Sequence, residues 1–340
     1  MLNHAEPLLG KTLQELQSIT QEVGLPRFAG KQLAEWLYVR RATTFDEMTN
    51  ISLKGREALK ERYTIGRHAP IAEAISKDGT KKYLFQIGEQ FVESVYLPED
   101  DRATLCVSTQ AGCKMGCKFC MTGTLGFHGH LAAADILNQI FSIPDADTLT
   151  NIVYMGEGEP MDNLDNVLRS LEAMTSPWGC AWSPKRITIS SVGINKGLKR
   201  FIEESDCHLA ISLHNPFGAE RQEIMPIEKV NHLSDVLALL KQYDWSHQRR
   251  VSFEYICWGG VNDTAKHANE LVRILKGLDC RINLIRFHAG VDQSFPNSNE
   301  KQMEWMRDYL TTKGITTTIR RSRGEDILAA CGMLVNALKS

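Results

Sequence analysis

No run of apolar residues approaches the roughly 18 that a membrane-spanning helix takes, and the opening stretch MLNHAEPLLG lacks the basic-then-apolar layout of a secretory signal. Both absences lead us to expect a cytoplasmic protein with no membrane partner. A basic surplus of the kind common in proteins that coat nucleic acid is also missing: 39 Lys and Arg against 41 Asp and Glu leave a net charge of −2. Any contact with a polyanion must therefore come from a few placed side chains, such as those of RRSR at 320–323. There is no low-complexity or Ser/Pro-rich tract to act as a linker, so the parts of the chain are expected to pack directly together. A hydrophobic fraction of 43% is enough for a sizeable core and excludes a disordered chain.

Cysteine, by contrast, is present in an odd number, nine. A chain of 340 residues in a reducing compartment seldom uses cysteines as structural bridges, which leaves metal binding and catalysis as the leading uses.

The chain divides by pattern. Residues 1–75 show helical periodicity, as in TLQELQSITQEVG and GKQLAEWLYVRR, with Gly and Pro breaks and little that reads as strand. Residues 76–102 carry two alternating runs, KKYLFQIG and QFVESVYLPEDD, that read as a connecting β-hairpin. Over 103–340, six short apolar or β-branched runs ending in Gly, Ser, Asn or His each precede a helix-like stretch. Strands alternating with helices imply parallel βαβ units. The fold class is thus α/β, a partial (β/α)6 barrel with an N-terminal small helical domain and a hairpin extension. Barrels of this kind assemble their sites at the C-terminal ends of the strands.

After the first of these runs comes QAGCKMGCKFCMTG, with Cys113, Cys117 and Cys120 inside eight residues. Structural zinc sites take four ligands, usually as separated C-x-x-C pairs. The spacing C-x-x-x-C-x-x-C supplies three. On one loop they would leave one iron of a 4Fe–4S cluster free for a substrate, although a zinc knuckle completed from elsewhere in the chain has the same three thiols.

This spacing, after the first strand of a partial barrel, resembles the radical S-adenosylmethionine (SAM) superfamily. That resemblance implies a 4Fe–4S cluster on Cys113, Cys117 and Cys120, with SAM chelating the open iron. It also implies SAM contacts from Gly158 and Glu159 in MGEGEP, Ser191 in ISSVG, and Ser212, Leu213 and His214 in ISLHN. Two further segments, VESVYLPEDDRATLCVSTQAGCKMGCKFC and RSRGEDILAACGML, are similar to the RlmN/Cfr family of RNA adenine methyltransferases, a similarity extending over essentially the whole chain.

An adenine carbon between two ring nitrogens is too electron-poor to attack a sulfonium methyl, so the family uses a radical route with two SAM per turnover. The resemblance implies that Cys331 carries the methyl group, that Cys106 releases the product by forming a transient disulfide with it, and that Glu93 accepts the ring proton. It implies an RNA substrate, 23S rRNA and possibly tRNA, methylated at carbon-2 or alternatively at carbon-8, and an external electron donor such as a flavodoxin system. In QFVESVY, Phe91, Glu93 and Val95 share one strand face, so we expect a carboxylate among apolar neighbours with a raised pKa. Arg320, Arg321 and Arg323 are candidates for phosphate contacts. Three positions depart from the family pattern: Glu157 stands where Met is usual, His288 where Asn is usual at a SAM-contacting strand end, and Met333 where Gln is usual.

Overall fold

The computed structural model describes residues 5–246, 250–288 and 295–334. Residues 1–4, 247–249, 289–294 and the tail after Leu334 lie outside the described residues.

The N-terminal region opens with β1 (Glu6–Pro7), followed by α1 (Leu13–Glu22), α2 (Ala29–Ala34) with a wider helical turn at Glu35–Val39, α3 (Leu53–Lys60) and β2 (Tyr63–Thr64). Thr12 starts α1 by capping it reciprocally with Glu15, satisfying amide groups that a helix start leaves without partners. Leu16, Ile19, Leu33, Leu37 and Leu59 fall on the inner faces of the helices and are buried. The periodicity led us to expect little strand here, and the structure adds the short parallel pair β1–β2. Two residues on each side are too few to leave an alternating pattern.

A ten-stranded sheet forms the rest of the frame. Its antiparallel wing is β3 (Ala72–Ile75), β4 (Lys81–Ile87) and β5 (Gln90–Pro98), and β5 also pairs antiparallel with β6 (Ala103–Cys106). A small separate pair, β7 (Gln110–Gly112) and β8 (Phe127–His130), brackets the cysteine loop and the short helix α4 (Met121–Thr124). From β6 the sheet continues in parallel through β9 (Asn151–Tyr154), β10 (Ile187–Ser191), β11 (His208–Ser212), β12 (Val251–Cys257), β13 (Cys280–Arg286) and β14 (Thr316–Ile319). The crossovers are α5 (Ala133–Phe141), α6 (Leu164–Thr175), α7 (Asn195–Glu204), the pair α8 (Gly218–Ile224) and α9 (Leu233–Leu240), α10 (Ala265–Leu275) and α11 (Glu300–Thr312).

Seven parallel strands therefore stand where six were read. The additional one is TTTI, a threonine-rich stretch that ends in arginines instead of a glycine turn. The strand order is linear, so the barrel stays open between its ends.

Strand register explains the two faces. Ile152, Ile187, Ile189, Leu209, Ile211, Val251, Phe253, Ile282 and Leu284 are fully buried under the helices. The alternate positions include Glu254, Asn283 and Thr318, in mutual register, and Ser252 two residues before Glu254. Because side chains alternate across a strand, the sheet is apolar where helices cover it and polar where it faces the barrel interior.

Candidate active site

The cysteine loop leaves β7 at Gly112, whose φ of +70° suits glycine. A Cβ there would sit 1.8 Å from the Gly126 carbonyl oxygen. The Cys113 amide donates to that same carbonyl (2.9 Å), and the Cys120 amide donates to the Cys117 carbonyl (3.1 Å). Cys113, Cys117 and Cys120 line one chamber of about 900 Å³ together with Gly158, Glu159, Ser191, Ser212 and His214. The structure thus brings to one wall every residue that the motif reading assigned to the cluster and SAM, except Leu213 and His288. Leu213 is fully buried behind the wall.

Gly158 has φ +97°, and a Cβ on it would meet the Gln110 side chain at 2.5 Å, so the chain passes too close for any other residue. The Glu159 carboxylate is buried and accepts from the Met161 amide (3.0 Å) and the Val192 amide (2.9 Å), tying the ends of β9 and β10 together. Burial pushes its pKa up to about 7. His214 is held by two contacts: Nδ1 accepts from the Ile256 amide (3.1 Å), and its carbonyl accepts from Asn262 Nδ2 (2.7 Å). Burial, with the Arg221 charge adding to it, depresses its pKa to about 3, so the ring is neutral and its hydrogen sits on Nε2. Phe119, from the cysteine motif, packs edge-on against His214 at 4.6 Å between ring centres and against Trp258 at 5.6 Å. Arg221 is fully buried and paired with Glu228. It donates to the carbonyls of Val192 (2.8 Å), Leu213 (3.1 Å) and Ser212 (2.9 Å), bracing two strand ends.

A second chamber of about 1290 Å³ adjoins the first and is lined by Cys106, Arg102, His288, Arg321 and Arg323, among others. Met155, Ile285, Arg320, Cys331 and Gly332 line both. Cys331 is thus in the partition, exposed to solvent, while Cys106 is half-buried on the far side. Burial pushes the Cys106 thiol up to about 12. His288 faces the second chamber, with Nε2 2.6 Å from Ser322 Oγ and Nδ1 3.5 Å from Glu325.

The segment carrying Cys331 has its own ties. The Gly324 amide donates to Asp78 (3.0 Å), Ser76 Oγ donates to Asp326 (2.5 Å), Lys82 Nζ donates to the Leu328 carbonyl (3.4 Å), and the Met121 amide donates to the Gly332 carbonyl (2.7 Å). The last bond joins the partition to the residue after Cys120.

Glu93 is placed differently from the sequence expectation. It is fully buried but lines neither chamber, and its neighbour is an ammonium group: Lys82 Nζ lies 3.0 Å from Oε1. Leu84 is directly opposite Glu93 on β4, which puts Lys82 two residues along on the same face, within reach of a long side chain. Reading one strand alone could not supply this partner. The Glu93 amide donates to Glu157 Oε1 (2.9 Å), and the Gly112 amide donates to Glu157 Oε2 (3.2 Å). Glu157 thereby joins β5 to the start of the cysteine loop. Of the arginines assigned to phosphate, Arg320 turns inward, its Nη1 3.3 Å from Glu254 Oε2. Glu254 and Lys82 escaped the sequence reading, and the only available signal was a charged residue at an inward-facing strand position.

Residues 107–293 match the radical SAM superfamily, and residues 7–65 match the family described as the ribosomal RNA large subunit methyltransferase N-terminal domain. The chain is 58% identical over 332 residues to the probable dual-specificity RNA methyltransferase RlmN of Bacteroides thetaiotaomicron, covering 97% of this chain and 96% of the relative. The chain belongs to the RlmN family of radical SAM enzymes. An RlmN described as a dual-specificity RNA methyltransferase in Nitratidesulfovibrio vulgaris is 40% identical over 344 residues, covering 96% of this chain and 94% of that one. The crystal structure of a radical SAM methyltransferase from Sphaerobacter thermophilus superposes with a TM-score of 0.91 at 34% identity, covering 97% and 99% of the two chains.

The cofactors of an RlmN enzyme are a 4Fe–4S cluster and SAM, two molecules of SAM per turnover. The residues present fit them. Three thiols from one loop face one chamber whose other walls include Gly158, Ser191, Ser212 and His214. Among the described residues no three His, Cys, Asp or Glu side chains converge on a single point as the ligands of one metal ion do. A cube with one thiolate per iron asks only that the three share a wall. Among the described residues no helix is long and apolar enough to cross a membrane.

Proposed function

We propose that this RlmN enzyme methylates carbon-2 of an adenine in 23S ribosomal RNA, and in transfer RNA, with Cys331 as the methyl carrier and Cys106 as the thiol that frees the product. The observation that supports this reading most is the place of Cys331 in the partition, with the three cluster cysteines on one side and Cys106 on the other.

When bound, the cluster and SAM supply an electron and, from it, a carbon radical able to remove a hydrogen atom. The rest falls to the chain. The Cys331 sulfur takes a methyl group from SAM in the first chamber, a new S–C bond replacing the sulfonium S–C bond. Lying in the partition, the S-methyl group gives up one hydrogen atom to that radical and presents the resulting carbon to a base in the second chamber, where a new C–C bond forms and the unpaired electron passes to the adenine ring. The ring carbon gives up its proton to water in the second chamber, and Glu93, which is ion-paired with Lys82 and lines neither chamber, is proposed as the final acceptor. Cys106, as a thiolate, attacks the Cys331 sulfur: an S–S bond forms as the S–C bond breaks, the freed carbon takes up a proton to become the methyl group, and the surplus electron of the adduct passes out to the external redox system. An external reductant, such as a flavodoxin system, restores both thiols and supplies the electron to the cluster.

Arg102, Arg321 and Arg323 line the second chamber with Glu99 as the one carboxylate on that wall, and they are proposed to hold the phosphates flanking a base turned out of its stack. The N-terminal domain is proposed to hold the remainder of the RNA, and the setting is proposed to be the cytoplasm. Nucleosides from an anaerobic reaction with ribosomal and transfer RNA test the assignment. We expect 2-methyladenosine that depends on the enzyme. If only 8-methyladenosine appears, the carbon assignment is overturned, and if no methylated adenosine appears the substrate class is overturned with it.

A further inference from the structure

Among the described residues, Arg320 is the one cation on the wall that the two chambers share, and its surroundings fix it there. Its backbone amide extends β14 by donating to the Leu284 carbonyl (2.8 Å). Its guanidinium meets Glu254 at 3.3 Å and the sulfur of Met155 at 3.8 Å. Glu254 is in turn anchored inside the barrel. Its Oε1 accepts from Asn283 Nδ2 (2.7 Å) and from Ser252 Oγ (3.4 Å), and Asn283 Oδ1 accepts from Thr318 Oγ1 (2.8 Å). Glu254, Asn283 and Thr318 stand in register on neighbouring strands, with Ser252 two residues before Glu254 on β12, so a polar chain crosses the barrel interior and ends at Arg320.

The two reactive thiols lie beside the Arg320 end of that chain. Cys331 lines both chambers with Arg320, and Cys106 takes a backbone hydrogen bond from Met155, the residue whose sulfur Arg320 touches. Both thiols attract the guanidinium electrostatically, and Cys331 disfavours charge on Cys106.

We propose that Arg320 is the shared counter-cation of Cys331 and Cys106, a positioning residue held at the partition by Glu254 so that either sulfur can react as a thiolate. The inference rests on the methyl-carrier reading above. Both steps assigned to these cysteines need a thiolate: Cys331 to displace a methyl from a sulfonium, Cys106 to attack the S-methylated sulfur carbon adduct. In each the thiol proton leaves to water through the second chamber, and the freed electron pair forms the new bond. Burial alone opposes that ionisation at Cys106. A fixed cation beside both sulfurs favours it without being consumed, and the Glu254 tether stops the guanidinium from swinging out to RNA phosphate with Arg321 and Arg323.

The test is alkylation by iodoacetamide of the full-length, cluster-reconstituted protein under anaerobic conditions at neutral pH, with Cys331 and Cys106 followed separately by peptide mass spectrometry. In Arg320→Gln we expect both thiols to react about tenfold more slowly, the equivalent of about one pK unit. Arg320→Lys keeps a charge and recovers most of the rate. Glu254→Gln keeps an acceptor for the guanidinium, and so the tether, while removing the opposing carboxylate, and speeds both thiols. A structural role for the pair predicts instead that Glu254→Gln and Arg320→Gln act in the same direction, and that result overturns the proposal, as does an unchanged rate in Arg320→Gln. If Arg320→Gln does not fold, Glu254→Gln decides alone: faster alkylation supports the proposal, and an unchanged or slower rate overturns it. Failure of the functional reading is seen elsewhere, in nucleosides from the wild-type reaction, because the alkylation rates need no RNA.

Discussion

Lys82 and Glu93 form an ion pair 3.0 Å apart with both side chains out of solvent, joining β4 to β5 behind the wall that carries Cys106. Removing one partner from such a pair leaves a buried charge with nothing to offset it. Lys82→Met should therefore lower stability to urea by about 3–5 kcal/mol, and the double variant Lys82→Met/Glu93→Gln should recover a large part of that loss. A double-mutant cycle in urea measures the coupling. A coupling near zero would mean that the two side chains are solvated independently.

Glu157 has a pKa raised to about 7 from the ordinary 4.5, mainly by burial, with Glu93 adding to the rise and Lys82 opposing it. Between those values the folded chain keeps a proton that the unfolded chain has lost. Stability contributed by this group is thus greatest below about pH 4.5 and is lost as pH rises through about 7. Relative to Glu157→Gln, the wild type should be more stable under mildly acidic than under mildly alkaline conditions, by urea unfolding at both. A difference independent of pH contradicts the raised value.

Gly158→Ala places a methyl group where Gln110 already lies, on a backbone with φ +97°. A side chain in that region costs about 1–2 kcal/mol before any clash is counted. We expect the variant to fold and to bind SAM at least about tenfold more weakly, since about 1.4 kcal/mol is a factor of ten. Equilibrium dialysis with labelled SAM on the cluster-reconstituted protein checks this, and unchanged binding would mean that the loop does not touch SAM.

Arg102 and Arg321 line the second chamber, and among the described residues neither has an ion-pair partner. Replacing either with Ala should weaken RNA binding and reduce the slope of log K against log salt by about one ion. Arg320→Ala should leave that slope unchanged, since its charge is engaged by Glu254. Equal slope changes for all three would place Arg320 on phosphate.

The parts of the site legible in the sequence were those confined to one short segment. Cys113, Cys117 and Cys120 lie on one loop, and Gly158, Ser191, Ser212 and His214 each follow or end a recognisable strand, so the family resemblance could assign them one by one, and the structure brings them to one chamber. What escaped depends on neighbours far apart in the chain. The Lys82 partner of Glu93 follows from antiparallel register, and the Glu254–Arg320 contact joins residues on β12 and just beyond β14. His288 ends a strand as expected, yet the segment around Ser322 and Glu325 holds it on the second chamber's wall. β14 was missed because TTTI is polar on one face and only four residues long, with no glycine to mark its end. Its absence hid the place of Arg320 as well.

The central claim is that Cys331 carries a methyl group from one chamber to the other. A single anaerobic turnover on protein whose Cys331 has first been methylated from deuterium-labelled SAM tests it most directly, with the Cys331 peptide and the RNA nucleosides weighed at the same time points. Loss of labelled methyl from Cys331 should keep pace with the appearance of labelled methyladenosine. Labelled methyl that stays on Cys331 while the RNA gains an unlabelled one would contradict the account.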